Sequence, residues 1–327
     1  MQIELIIISD WFKIPLSRVT SMFVENFSKE QLASDELFEK LRNITIAEVK
    51  TIIYKLEDVL ASENLLIRIP RSEAIVVGDM HGDIAVCLAI AQKLLTSDSL
   101  RAIFLGDYVD RGPHQVDVIN LVLLLKLTFM DRVVLLRGNH ETPVLNETNG
   151  FRDCLSRQFG QEDGHILWYL YNRLFKQFAL AAITWNDILL VHGGIPEHIS
   201  DLSDIETLPK EYDPANNTIL ELLWNDPNES KKLVQFKKST RGGPAREFGS
   251  GAFQNFVEKT KIKRLIRAHE EFNDGYKYFF DEKLISIFSS RRVVESPFEH
   301  QIKPKIIVIK EDGTINLNTI EPEPIKT

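Results

Sequence analysis

The stretch Ala74-Ile75-Val76-Val77-Gly78-Asp79-Met80-His81-Gly82-Asp83 decides how the chain is read. Four apolar residues, three of them β-branched, predict a buried strand. Such a strand has no use for the aspartate and histidine that follow at once between glycines, whereas a metal site needs them. The layout recurs four times downstream. Ala102 to Leu105 runs into Gly106-Asp107-Tyr108-Val109-Asp110-Arg111-Gly112, and Arg132 to Leu136 into Arg137-Gly138-Asn139-His140-Glu141. Ile188 to Val191 runs into His192-Gly193-Gly194, and Arg264 to Arg267 into Ala268-His269-Glu270. Strands that deliver polar residues from their C-terminal ends onto one rim are the layout of an α/β active site.

Sorted by chemistry, the strand ends offer Asp79, His81, Asp107, Asn139, His192 and His269. This mixed oxygen and nitrogen set, without thiolates, suits manganese first and iron or zinc as alternatives. Six donors exceed one tetrahedral site and suit two divalent ions about 3.5–4 Å apart that share a carboxylate. Glycines at 78, 82, 106, 138 and 193 let the backbone approach the ions closely. Two such ions, two carboxylates and a bridging hydroxide leave a net positive centre. Arg111 and Arg241 add planar forks, so the expected ligand is a phosphate dianion. Each fragment alone is ordinary: a surface turn, a histidine loop, a common Gly-Asn-His turn. Five of them in order, each after a predicted strand, are not. His114, His165, His198 and His300 fall outside the pattern and are read as structural, and Cys87 and Cys154 as packed small hydrophobes. The lysines of "SKKLVQFKKSTRGG" are read as a solvated face.

The remaining features fit a soluble enzyme. The 327 residues are 44% hydrophobic and 26% charged, with a net charge of −8, which argues against general nucleic-acid binding. Two distant cysteines exclude a disulfide framework or a Cys-rich zinc site, and suit a reducing compartment. No signal peptide is read at the start, and the longest apolar run, "LVLLLKLTFM", is too short to span a membrane, so the expected location is the cytoplasm. Residues from about 10 to 65 read as helices. Ser28 is a candidate N-cap, and Thr45 and Glu48 have capping-box spacing. Near the C-terminus "YKYFF-DEK-LISIF" and "KIIVIK-EDG-TINLN" read as hairpins. The expected fold is α/β (α+β): a central β-sandwich flanked by helices. One catalytic domain over 1–327 is expected, with an N-terminal helical layer (1–70), a dimetal core (71–300) and a C-terminal hairpin and tail (301–327).

GDMHG, GDYVDRG, RGNHE, HGG, an Arg-Gly after "WNDP" and RAH resemble the phosphoprotein phosphatases, the type 1 and type 2A serine/threonine enzymes of the calcineurin-like metallophosphoesterases. The likeness runs from about residue 72 to 290 and implies the metallo-dependent phosphatase fold. It implies that Asp79, His81 and Asp107 hold one metal and that Asp107, Asn139, His192 and His269 hold the other. Arg111 and Arg241 would clamp the phosphoryl group, and His140, oriented by Asp110, would protonate the leaving oxygen. A hydroxide bridging the metals would attack phosphorus directly. Phosphoserine and phosphothreonine proteins are the implied partners, with regulatory subunits left open and no nucleic acid or membrane.

The likeness fails at the substrate rim. The family's loop Ser-Ala-Pro-Asn-Tyr-Cys becomes "FSSRRVVES" here, with Val293 in place of its tyrosine. Asn149 replaces a second groove tyrosine, Cys154 a glutamate, and Asp83 the usual glutamine, as in a divergent, archaeal-like branch. Two other functions compete. A diadenosine tetraphosphate or small phosphoester hydrolase would use the same core, but such relatives tend to read His-Ala-Gly at 192–194. A non-catalytic binding protein should have lost a ligand, and none is lost.

Overall fold

Alternation along the strands explains why two sheets form and where they face. The computed structural model describes residues 35–210, 217–243, 245–291 and 302–322. Ser28, Val293 and His300 therefore lie outside the described residues, as do most of the leading stretch and the extreme C-terminus. A five-stranded sheet is built from β2 (Ala74–Val77), β3 (Arg101–Phe104), β4 (Val133–Leu135), β13 (Lys305–Ile309) and β14 (Ile315–Thr319), in the order β14-β13-β2-β3-β4. A six-stranded sheet contains β1 (Leu66–Ile69), β5 (Ala181–Thr184), β6 (Ile188–Val191), β10 (Arg264–Arg267), β11 (Tyr276–Phe279) and β12 (Leu284–Ile287), in the order β1-β5-β6-β10-β12-β11. Ala74, Val76, Ile103, Val134, Ile307 and Ile309 of the first pack against Ala182, Ile188, Leu190, Ile266, Ile285 and Ile287 of the second. Their neighbours Ile75, Val77, Ala102 and Phe104 point the other way, into the helical layer. Strands covered on both faces are apolar throughout.

The first sheet's helical layer includes α1 (Asp35–Arg42), α2 (Ile46–Ser62), α3 (Ile84–Leu95), α4 (Gln115–Thr128), α6 (Phe151–Phe159) and α7 (Gln161–Phe175), with the one-turn α5 (Pro143–Asn146) before α6. The Thr45–Glu48 capping box starts α2, with Glu48 N–H donating to Thr45 Oγ1 at 3.3 Å and Thr45 N–H to Glu48 Oε2 at 2.7 Å. On the other side lie α8 (Ser203–Glu206), α9 (Asn217–Trp224) and α10 (Ser250–Thr260). There too is a small sheet of β7 (Asp226–Pro227), β8 (Phe236–Lys238) and β9 (Arg246–Phe248). Among the described residues no helix is long and apolar enough to cross a membrane.

The first 70 residues are not a helical layer throughout. Leu66–Ile69 is a strand that pairs in parallel with β5 and belongs to the six-stranded sheet. Its four residues are too short a window for periodicity to separate from the end of a helix. Both predicted hairpins form, and β13 also pairs antiparallel with β2. The C-terminal hairpin is thus part of the sandwich. At one end the sheets touch through single bridges, Asp79 with Phe288 and Leu136 with Ala179. That end carries the polar residues.

Candidate active site

Three of the five polar motifs turn sharply at the end of their strands. His81 (φ 41°), Asp107 (φ 55°), Asp110 (φ 68°), Arg111 (φ 66°) and His269 (φ 71°) are all left-handed. Non-glycine residues hold that conformation only where the surroundings over-determine it, and functional sites are where this is common. Two turns lie back to back. A Cβ on Gly138 would stand 2.2 Å from Asp107 Oδ1, and one on Gly106 would stand 2.4 Å from the Gly138 nitrogen. Glu141 ties these turns together. Its carboxylate accepts the N–H groups of Asp107 (2.8 Å), Tyr108 (2.9 Å) and Gly138 (2.9 Å).

The six predicted ligands are all buried and they converge. Their protonation follows from their outer contacts. His81 Nδ1 lies 2.8 Å from Val109 O and His192 Nδ1 lies 3.0 Å from Leu105 O. A carbonyl only accepts, so both Nδ1 atoms carry hydrogen and both Nε2 atoms turn a lone pair inward. The lone pair of His81 faces Asp107 Oδ2 at 3.5 Å and Asp79 Oδ2 at 3.8 Å, and the atom has no hydrogen-bond partner among the described residues. His192 Nε2 faces Asn139 Oδ1 at 2.8 Å, His269 Nδ1 at 3.2 Å and Asp107 Oδ1 at 3.5 Å. His269 Nδ1 lies 2.9 Å from the same Asn139 oxygen. Donor atoms crowded this closely could hold a cation among them. Their spacing suits neighbouring ligands of a first-row divalent ion, which sit about 3 Å apart when each bond is about 2.1 Å.

The electrostatics agree. Burial pushes Asp79 up to about 6 and Asp107 well above the usual carboxylate range, where the charges of Asp79 and Glu141 add to the effect. Burial also drives His81, His192 and His269 well below the usual imidazole range. Neutral imidazoles beside carboxylates that ionise reluctantly are a donor set that a divalent cation would relieve.

His140 lies close to the first cluster, with Nε2 4.0 Å from Asp107 Oδ2. Its surroundings separate it from the ligands. Nδ1 is 2.7 Å from Asp110 Oδ2, and Nε2 lies 3.5 Å from the Arg111 guanidinium, a poor neighbour for a metal-binding lone pair. Burial lowers His140, with the charges of Arg111 and Arg241 adding to it, and raises Asp110 to about 7. Phe151 N–H holds the other Asp110 oxygen at 3.0 Å. Arg241 is anchored through Nε to Asp226 Oδ2 at 2.6 Å.

Asp226 is a residue that the sequence reading left without a role. Its Oδ1 accepts from Arg267 Nη2 at 3.0 Å and lies 3.9 Å from His269 Nε2. Arg267, fully buried, reaches Glu270 as well. The signal was present in "WNDP" and "RAH", but only the fold brings the two together. Three of the histidines set aside fall among the described residues, and they stay outside the clusters. His114 contacts Asp117 and the Phe38 ring, His165 stacks on Trp168, and His198 is exposed. Cys87 is buried. Cys154 is half-buried, with Arg157 2.9 Å from its sulfur. Lys237 and Lys238 lie exposed on β8, where Lys237 pairs with Glu247.

Comparison with known proteins defines the class: the chain belongs to the calcineurin-like phosphoesterase family, which it matches over residues 74–270. It is a phosphoesterase of the type 1 and type 2A kind. It is 33% identical over 260 residues to a protein phosphatase 2A catalytic subunit from Dictyostelium discoideum, covering 78% of this chain and 81% of that protein. It is 31% identical over 268 residues to serine/threonine-protein phosphatase PP1-delta of Caenorhabditis elegans, covering 78% and 86%. It spans only 25% of the longer serine/threonine-protein phosphatase BSL2 of Arabidopsis thaliana. Its fold is that of a solved Saccharomyces cerevisiae protein serine/threonine phosphatase, with a TM-score of 0.75 at 22% identity over 95% of this chain and 98% of that one.

Proposed function

We propose that the protein is a serine/threonine protein phosphatase that hydrolyses phosphoserine and phosphothreonine monoesters with the help of two divalent ions. The observation that carries this reading is the convergence of buried lone pairs on two adjoining points, with two arginines and an Asp–His pair facing them. The names of its relatives support the substrate class.

Asp79, His81 and Asp107 would hold one ion and Asp107, Asn139, His192 and His269 the other, with manganese the first choice. Bound there, the ions would polarise the phosphoryl group and bring the pKa of a water close to 7. The chain's own residues do the rest. Arg111 and Arg241 grip phosphoryl oxygens, and Asp226 fixes the orientation of the second fork. The activated water, having lost a proton to solvent, would attack phosphorus in line and break its bond to the serine or threonine oxygen, with no phosphoenzyme. His140 gives its Nε2 proton to the departing serine or threonine oxygen. Asp110 holds the opposite nitrogen and stabilises the imidazolium. Burial, and after it the neighbouring arginine charges, disfavour that imidazolium and so make it a stronger acid.

We also read the chain as one catalytic domain, because both sheets and the small sheet contribute to one site. A cytoplasmic location is consistent with two free cysteines. The test is metal analysis of the purified protein, followed by turnover of an aryl phosphate and of phosphoserine peptides. Binding of two ions with turnover of both substrates is expected. A protein that takes up no metal when Mn²⁺ is supplied, or that binds two ions and turns over neither substrate, would reject the reading.

A further inference from the structure

Two departures from the family pattern, far apart in sequence, are partners in space. Asp83 stands where type 1 and type 2A enzymes usually carry glutamine. Arg291, counted back from Val293, stands where their loop carries proline. The Asp83 carboxylate is buried, and Arg291 grips it three times: backbone N–H to Oδ2 at 2.9 Å, Nε to Oδ2 at 2.9 Å and Nη2 to Oδ1 at 2.7 Å. Neither proline nor glutamine can make this fork. The Asp83 carboxylate also caps α3 through Val86 N–H at 3.4 Å, and Arg291 O accepts from Ile302 N–H at 3.0 Å.

The location gives the pair its consequence. Residues 288–291 run beside the turn 78–83 and are tied to it at both ends. At the near end Gly78 N–H donates to Ser289 Oγ at 2.8 Å, and Ser289 N–H to Asp79 O at 3.2 Å. At the far end the tie is Asp83 with Arg291. His81 lies between these ties in a left-handed conformation, with the Phe288 ring 6.3 Å from its own. A strained residue keeps its geometry only while its surroundings hold it. We infer that the Asp83–Arg291 clasp is a positioning device of this chain, holding the His81 turn so that the half-site of Asp79, His81 and Asp107 is shaped for its ion before the ion arrives. The other half-site shares Asp107 but draws its remaining ligands, Asn139, His192 and His269, from other turns. The inference rests on the dimetal reading proposed above.

The test is titration of metal-free protein with Mn²⁺, followed by calorimetry, for wild type, Arg291→Gln, Arg291→Lys, Asp83→Asn and the Asp83→Asn/Arg291→Gln double variant. Asparagine keeps the helix cap but offers one acceptor oxygen where two are used. Wild type should show two binding steps. Arg291→Gln and Asp83→Asn should each weaken one step by roughly tenfold, the scale of lost outer contacts at metal sites, and leave the other within about twofold. Arg291→Lys should fall between, because charge remains without the fork. The double variant should be no worse than the worse single one, as expected for two ends of one contact. Two unchanged steps alongside a lower melting temperature would reduce the clasp to fold stability and overturn the inference, and so would equal weakening of both steps. Failure of the wild type to bind Mn²⁺ would instead overturn the dimetal reading, and the inference with it.

Discussion

Replacing His140 with asparagine separates leaving-group chemistry from binding. The imidazole is buried, with Nδ1 2.7 Å from Asp110 Oδ2 and Nε2 turned toward the arginine pair and Asp107. Asparagine is similar in polarity but too short to span Asp110 and the leaving oxygen, and it carries no proton to give. A general acid contributes about 10²–10⁴ in rate, or roughly 3–5 kcal/mol of transition-state stabilisation. On the proposed roles the acid would act in the transition state, whereas Arg111 and Arg241 would also hold the ground state. The expected result for a phosphoserine peptide is therefore a kcat lowered 10²- to 10⁴-fold, with KM nearly unchanged. An aryl phosphate has a better leaving group, so its loss should be smaller. The assay is steady-state phosphate release from both substrates at saturating Mn²⁺. Equal slowing of both would refute the assignment of His140 to the leaving oxygen.

Arg241→Ala should raise KM and lower kcat together. Asp226→Asn should show a weaker form of the same defect, because it frees the guanidinium held at 2.6 Å; Michaelis–Menten analysis with a phosphopeptide checks both. Glu141→Gln leaves one oxygen for three backbone donors and turns an amide toward the others, so denaturant unfolding of the metal-free protein should show a loss of about 2–4 kcal/mol. Okadaic acid and microcystin should bind about 30- to 150-fold more weakly than to the type 1 and type 2A enzymes, since Asn149 and Val293 replace rim tyrosines. Mass spectrometry should find no microcystin adduct at the loop around Val293, which has no cysteine. Arg291 should offset little of that loss, because Asp83 neutralises its charge and takes Nε and Nη2 of its guanidinium.

The site was legible where chemistry and strand ends coincide. Apolar runs such as Ala74–Val77 and Ile188–Val191 announce their strands, and the Asp, His and Asn after them face one point because parallel strands end at one rim. The strands β1 and β5 were not legible. Leu66–Ile69 and Ala181–Thr184 are four-residue segments with only three apolar residues each, and neither leads into a polar motif. The supporting residues were hidden for another reason. Asp226 and Arg267 are 41 positions apart, Asp83 and Arg291 are 208 apart, and nothing local marks them as partners. Glu141 was visible within RGNHE, but its task of holding two turns together depends on Gly106 and Gly138 meeting in the fold.

The central claim, a metal-dependent serine/threonine phosphatase, is tested most directly by phosphate release from a phosphoserine peptide. The protein is stripped with chelator and then titrated with Mn²⁺, beside Asp107→Asn treated in the same way. The expected result is no release from stripped protein, recovery on adding Mn²⁺, and little recovery in Asp107→Asn, where both ions lose a shared carboxylate charge. Full release by metal-free protein would contradict the claim, as would Mn²⁺-dependent cleavage of a dinucleoside polyphosphate with none of the phosphopeptide.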